Sequence, residues 1–202
     1  FWQPQGVLVD VDVLQTLPDR EFRAGLAEVV KYGVILDADF FSYLEEHVAE
    51  IEAQDARTMA AVIQRCCRLK ADVVEQDECE LSGHRAVLNY GHTYAHAFEA
   101  VGGYETLLHG EAVAAGMRCA ARLAARMGRI NQSFVERQDA LLDALGLAST
   151  PPPADGEELL RLMHRDKKAA EGRLRFVLPD RLGHVELVDG VRADDVLASL
   201  EE

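Results

Sequence analysis

Three of the chain's seven histidines fall within one short stretch, Leu88 to Ala112. His92 and His96 are four residues apart, so on a helix their imidazoles stack on one face. His109 follows a turn signal, Gly102-Gly103-Tyr104, and opens the next helical pattern. Two helix ends would then bring three imidazoles together, which is how a metal site or an acid–base cluster is built. A His-x3-His pair alone is more often an ordinary helix feature. Here the surrounding Gly91, Ala95, Ala97, Gly110, Ala112, Ala114, Ala115 and Gly116 are all small. They allow backbones to approach closely and leave room beside the rings.

The elements that must position these groups read as mainly helical. Glu21 to Leu36, Ala38 to Gln54, Asp55 to about Glu78, His109 to Gly128, a segment capped by Asn131 or Ser133 and running to Leu145-Gly146, Gly156 to His164 and Ala193 to Leu200 carry helical periodicity or caps. A continuous helix through Arg85, Asn89, His92 and His96 would put four polar groups on one face. Gly6 to Asp12 reads as a strand. Gly172 to Pro179 and His184 to Val188 alternate about a turn at Asp180–Gly183, which predicts a hairpin. The fold class is therefore mainly α, a multi-helix domain with a small β-hairpin near the C-terminus. On spacing alone, Glu28 and Lys31 form an ordinary surface ion pair worth a few tenths of a kcal/mol, and Lys70 faces solvent.

With 202 residues and 49% hydrophobic composition, the chain can build a real core. No window reaches the roughly 18 uninterrupted apolar residues of a membrane span. A net charge of −14 argues against nucleic-acid binding through a general basic surface and favours a cytoplasmic protein. It also makes local basic groups such as Arg165-Asp166-Lys167-Lys168 more informative, because an anionic substrate would need them. Cys66, Cys67, Cys79 and Cys119 form no C-x2-C pair, so reduced thiols are expected. The first residues, Phe1-Trp2-Gln3-Pro4-Gln5, lack a signal-peptide pattern and read like the middle of a longer chain.

Four spaced blocks carry a resemblance: Arg23-Ala24-Gly25-Leu26-Ala27-Glu28-Val29-Val30-Lys31-Tyr32-Gly33; Leu88-Asn89-Tyr90-Gly91-His92-Thr93 with His96-Ala97; Leu108-His109-Gly110-Glu111-Ala112-Val113-Ala114; and Asp166-Lys167-Lys168. With them, nearly the whole chain resembles the C-terminal domain of the 3-dehydroquinate synthase family, within the sugar phosphate cyclases. The resemblance implies a divalent metal, usually zinc and possibly cobalt, held by Glu28, His92 and His109. It makes His96 an acid–base or phosphate-contacting group rather than a ligand. It places Lys31 and Lys70 on the substrate carboxylate and hydroxyls, and Arg85, Asn89 and one of Lys167 or Lys168 on substrate and phosphate.

The implied substrate is a phosphorylated sugar acid, 3-deoxy-D-arabino-heptulosonate 7-phosphate. It is transiently oxidised with NAD, loses phosphate, is reduced back and closes to 3-dehydroquinate, a step of the shikimate route to chorismate and aromatic amino acids. The family's NAD-binding domain lies N-terminal to such a region, and no G-x-G-x-x-G occurs here. Residues 1–202 are thus expected to be the C-terminal domain only, inactive alone, with NAD bound mainly by the missing part. A homodimer is implied, with no nucleic-acid or membrane partner. Two positions depart from the family's usual pattern: Ala95 stands where Gly is common, and Tyr90 where Leu or Phe is common. The rival readings are another cyclase of the scaffold, such as a 2-deoxy-scyllo-inosose or 2-epi-5-epi-valiolone synthase, a metal-dependent polyol dehydrogenase, and a non-enzymatic helical module.

Overall fold

A computed structural model describes residues 5–78, 83–102, 107–148, 150–166 and 174–201. The described residues form α1 (Asp19–Leu36), α2 (Ala38–Glu46), α3 (Val48–Glu52), α4 (Ala56–Gln76), α5 (His92–Val101), α6 (His109–Arg126), α7 (Gln132–Ala144), α8 (Gly156–Asp166) and α9 (Ala193–Glu201). Strands β1 (Arg175–Arg181) and β2 (His184–Asp189) pair antiparallel between α8 and α9. The expected helical domain with one hairpin is what forms.

Short polar caps start the helices where the sequence places them. The Asp55 carboxylate accepts the Thr58 N–H at the head of α4, and the Asn131 side chain accepts the Phe134 N–H at the head of α7. Asp37 does the same for α2 through Phe40 N–H. The hairpin is tied to α1 at its turn, where Gly183 donates its N–H to the Val34 carbonyl at 2.9 Å. Gly183 holds a φ of +79°, and a Cβ there would lie 2.8 Å from the Ala38 nitrogen.

The centre of the domain is α6. From Gly110 to Ala124 only Glu111 and Arg122 escape full burial, and the helix touches α1, α5, α7, α9 and β1. Its alanine-rich surface lets these neighbours come close. A Cβ on Gly110 would sit 1.8 Å from the Ala24 carbonyl oxygen of α1, and one on Gly116 would sit 2.2 Å from the Gly91 carbonyl oxygen. Large side chains fill the remaining space: Phe41, Tyr90, Tyr94, Phe98, Met117, Leu123, Leu142 and Phe176 are all fully buried.

Three expectations are corrected. Residues 6–12 form no strand; Asp10 caps a 3-10 helix over Val11–Thr16 instead, with Val7 and Leu8 exposed. A strand needs a partner for its hydrogen bonds, and this segment has none among the described residues. The helix expected over 38–54 divides at His47, whose ring Nδ1 donates to the Tyr43 carbonyl at 2.8 Å while stacking on the Tyr43 ring. The continuous helix through Arg85, Asn89, His92 and His96 also divides. His84–Asn89 is a 3-10 helix, and α5 begins only after Gly91, at φ +78°. Arg85 and Asn89 therefore do not continue the His92–His96 face.

The Tyr90 side chain locks this break in place. Its hydroxyl donates to Gln138 Oε1 at 2.8 Å, and both it and Gln138 Nε2 reach the Met117 carbonyl, at 3.3 and 3.1 Å. Burial pushes the phenol's pKa far up, so it stays a donor.

Two measurements follow from this packing. Gly110→Ala gains about 1 kcal/mol of helix propensity but drives a methyl into backbone, so it should lower the thermal unfolding midpoint with a net loss of about 1–3 kcal/mol or more. Gly25→Ala, exposed on α1 with nothing among the described residues within 4 Å of the added methyl, should raise it instead. Tyr90→Phe strands the buried Gln138 amide oxygen and should cost about 1–3 kcal/mol. Combining it with Gln138→Leu should recover part of that loss, a coupling that unfolding of the single and double variants would read.

Candidate metal centre

Three elements converge on one point through the close approaches just described. Glu28 lies one turn beyond Ala24 on α1. His92 follows Gly91 at the head of α5, and His109 precedes Gly110 at the head of α6. One ligand atom from each of Glu28, His92 and His109 lies within 4.8 Å of the other two. His92 Nε2 is 3.6 Å from Glu28 Oε1. A tetrahedral ion with bonds of about 2.0–2.2 Å needs ligand atoms roughly 3.4 Å apart, so this edge already has the required length.

The surroundings set the chemical state of each group. The Tyr90 carbonyl, which can only accept, lies 3.0 Å from His92 Nδ1. That nitrogen therefore carries the proton and Nε2 keeps its lone pair. Burial first, and then the Lys31 ammonium, pushes the His92 pKa below its ordinary value, which favours the neutral, ligating ring. His109 Nδ1 lies 2.9 Å from the Glu99 Oε1 acceptor, so in the neutral ring Nε2 is the nitrogen left to bind a metal.

Glu28 divides its oxygens. Oε2 accepts from Lys31 Nζ at 2.6 Å, while Oε1 is buried with no hydrogen-bond donor among the described residues. A buried carboxylate oxygen without a partner is costly, and a cation held with the two imidazoles would satisfy it. One carboxylate and two neutral imidazoles with a position left open is the donor set of a catalytic zinc site. The residues present therefore fit a divalent metal.

Lys31 is almost fully buried, at 3% exposure, so its link to Glu28 is not the surface ion pair that spacing alone suggests. Burial pushes its pKa down, the Glu28 carboxylate raises it, and the Lys70 ammonium lowers it further. Lys70 is exposed, as the spacing predicts, yet near enough for its charge to act on Lys31. His96 is half-buried, with its ring 5.7 Å from that of His92 and outside the group of three ligand atoms. Arg85 is half-buried on the 3-10 helix, its backbone N–H donating to Asp77 Oδ2 and its guanidinium to the Glu78 carbonyl. Asn89 is exposed at the end of that 3-10 helix, which packs on α4 and the hairpin. Lys167 and Lys168 lie outside the described residues.

Two contributors escaped the sequence reading. Glu99 sits three residues after His96 and seven after His92, a helical spacing that could have flagged it. Glu111 reaches back to accept the Leu108 N–H and is gripped by both Arg20 Nε and Nη2 at 2.7 Å. This anchors the head of α6, and with it His109, to α1. The Arg20 guanidinium holds the Glu111 carboxyl below its ordinary pKa. A cavity of about 620 Å³ lies beside this clamp and is lined by none of the three candidate ligands.

The 3-dehydroquinate synthase C-terminal family model matches residues 25–169. The 3-dehydroquinate synthase of Rhodopirellula baltica is 50% identical over 200 residues, covering 99% of this chain and 53% of that protein. That of Desulforamulus reducens is 50% identical over 203 residues, covering 100% of this chain and 56% of that protein. The chain thus spans about half the length of the curated relatives it matches. Among solved structures, a 2-epi-5-epi-valiolone synthase from Streptomyces hygroscopicus subsp. jinggangensis, with NAD+ and Zn2+ bound, superposes with a TM-score of 0.83 at 25% identity, covering 95% of this chain and 53% of that one. A 2-deoxy-scyllo-inosose synthase in complex with carbaglucose-6-phosphate, NAD+ and Co2+ superposes at 0.81 and 26% identity, covering 95% of this chain and 55% of that one. The four sequence blocks, the helical fold and these matches agree, and the chain belongs to the 3-dehydroquinate synthase C-terminal family.

Proposed function

We propose that this chain is the metal- and substrate-holding part of a 3-dehydroquinate synthase. The enzyme converts 3-deoxy-D-arabino-heptulosonate 7-phosphate to 3-dehydroquinate and phosphate, acting in the cytoplasm as a homodimer. The observation that carries the reading is the convergence of Glu28, His92 and His109 around a buried carboxylate oxygen that has no donor among the described residues. Identity to 3-dehydroquinate synthases is 50%, about twice that to the structurally similar cyclases. That ratio favours the synthase over a cyclase making another ring.

When bound, a divalent ion, zinc or cobalt, supplies Lewis-acid polarisation of substrate oxygens, and NAD supplies a reversible hydride acceptor. The chain's own residues do the rest. Glu28, His92 and His109 hold the ion. Lys31, fixed by Glu28 and by burial, and Lys70, at the open face, bind the substrate's carboxylate and hydroxyls as point charges. His96, beside the metal cluster, holds or moves a proton at the phosphate-bearing end. Arg85, Asn89 and one of Lys167 or Lys168 neutralise and orient the phosphate. Much of the rate then comes from positioning and preorganised charge.

His109 is exposed, so the metal cluster is open to solvent on that side. This fits a cleft closed by the half of the enzyme outside this chain, where NAD is mainly held. On this reading the chain alone is inactive.

The test is a product assay on the complete polypeptide with NAD and zinc. It is offered the heptulosonate phosphate, sedoheptulose 7-phosphate and glucose 6-phosphate separately, and phosphate release and product mass are followed. Release is expected from the first alone. It should vanish on chelation or in His109→Ala, and fall about 100-fold or more in His96→Asn. Turnover of another sugar instead would assign a different cyclase. No release from any of the three, with metal bound, would contradict the reading.

A further inference from the structure

His109 is the least constrained of the three candidate ligands. Its side chain is 52% exposed and stands on the first residue of α6, where few neighbours can fix its ring. The group that holds it is Glu99, whose side chain is only 13% exposed. Glu99 is on α5, so that helix carries one candidate ligand, His92, and the carboxylate that orients another.

The charge balance gives this contact further weight. The Lys31 ammonium neutralises the one carboxylate of the ligand set, Glu28, and the two imidazoles are neutral as ligands. A divalent cation would thus sit in a site of roughly zero net charge, against the head of α6, where the helix dipole disfavours cations. Glu99 places a negative charge one hydrogen bond behind the metal-facing nitrogen. Its acceptance of the Nδ1–H hydrogen bond also fixes the tautomer and raises the basicity of Nε2.

We propose that Glu99 is a positioning residue for the metal, acting through His109 in a carboxylate–histidine–metal relay. The proposal rests on reading Glu28, His92 and His109 as the metal ligands. Removing Glu99 leaves all three ligands in place but frees the His109 ring and takes away the compensating charge. Gln at this position can still accept the Nδ1–H hydrogen bond through its amide oxygen, so it should retain orientation and lose only charge.

The experiment uses the complete polypeptide as wild type, Glu99→Ala, Glu99→Gln and His92→Ala. Zinc affinity is measured by competition with a chelating dye, the visible absorption of the Co2+-substituted proteins is recorded, and folding of the metal-free forms is checked by circular dichroism. The expected result is a 10–100-fold weaker zinc affinity for Glu99→Ala, a smaller loss for Glu99→Gln, and altered Co2+ bands in both. Should the metal-free Glu99→Ala protein prove unfolded, the nearly isosteric Glu99→Gln decides by its affinity and spectrum. Zinc affinity within about twofold of wild type in the folded Glu99 variants, with unchanged Co2+ bands, overturns the proposal while leaving the metal site standing. Failure of the wild type to bind zinc, or a His92→Ala protein that binds as tightly, overturns the metal reading itself and the relay with it.

Discussion

The structure depends on how closely α6 can lie against its neighbours. Its backbone meets Ala24 of α1 at Gly110 and Gly91 at Gly116, with no room for a Cβ at either crossing. Those two contacts fix three chain segments to within the width of a methyl group. The candidate ligands are the residues beside them: Glu28 one turn past Ala24, His92 after Gly91, and His109 before Gly110. A catalytic constellation tolerates errors of only about half an ångström. Rigid backbone contact immediately beside each ligand is a direct way to meet that tolerance. The Arg20–Glu111 clamp ties α1 to α6, and Tyr90 with Gln138 of α7 ties the chain just before α5 to the Met117 carbonyl of α6.

Electrostatics then distinguishes this corner from the rest of an acidic protein. Lys31 is nearly fully buried beside Glu28, a placement that costs desolvation and is sustained by the short hydrogen bond between them. Such a pair is poor as pure stabilisation. It is well suited to presenting a positive charge to an anionic ligand while leaving one carboxylate oxygen for a cation. The solved cyclases with NAD+ and Zn2+ or Co2+ bound share this fold across nearly the whole chain.

Legibility in the sequence followed the range of the forces involved. Helix starts at Asp55 and Asn131 were readable because a cap is a local interaction, and the hairpin because alternation and a turn signal agree. The strand expected at 6–12 failed because a strand is defined by a partner that local pattern does not reveal. The division at Tyr90–Gly91 was hidden because Arg85 to His96 keeps a helical spacing. The reason for the break is a distant contact, Gly91 against Gly116 and Met117. At the site, His92 and His109 stood out by residue type. Glu28 and Lys31 did not: spacing alone made them a surface pair, and only the resemblance and then the burial of Lys31 changed that. Glu99 was within reach of periodicity, but the length of the α5–α6 connection says nothing of which ring it would meet.

Whether Glu28, His92 and His109 hold one divalent ion can be read directly. The most direct measurement is a crystal structure of the zinc-loaded protein with anomalous data collected on both sides of the zinc absorption edge. A single strong anomalous peak is expected about 2.0–2.2 Å from a Glu28 oxygen and from Nε2 of both His92 and His109, with His96 outside bonding distance. A fully loaded crystal whose zinc lies elsewhere, or is bound by His96 in place of Glu28 or His109, would contradict that arrangement.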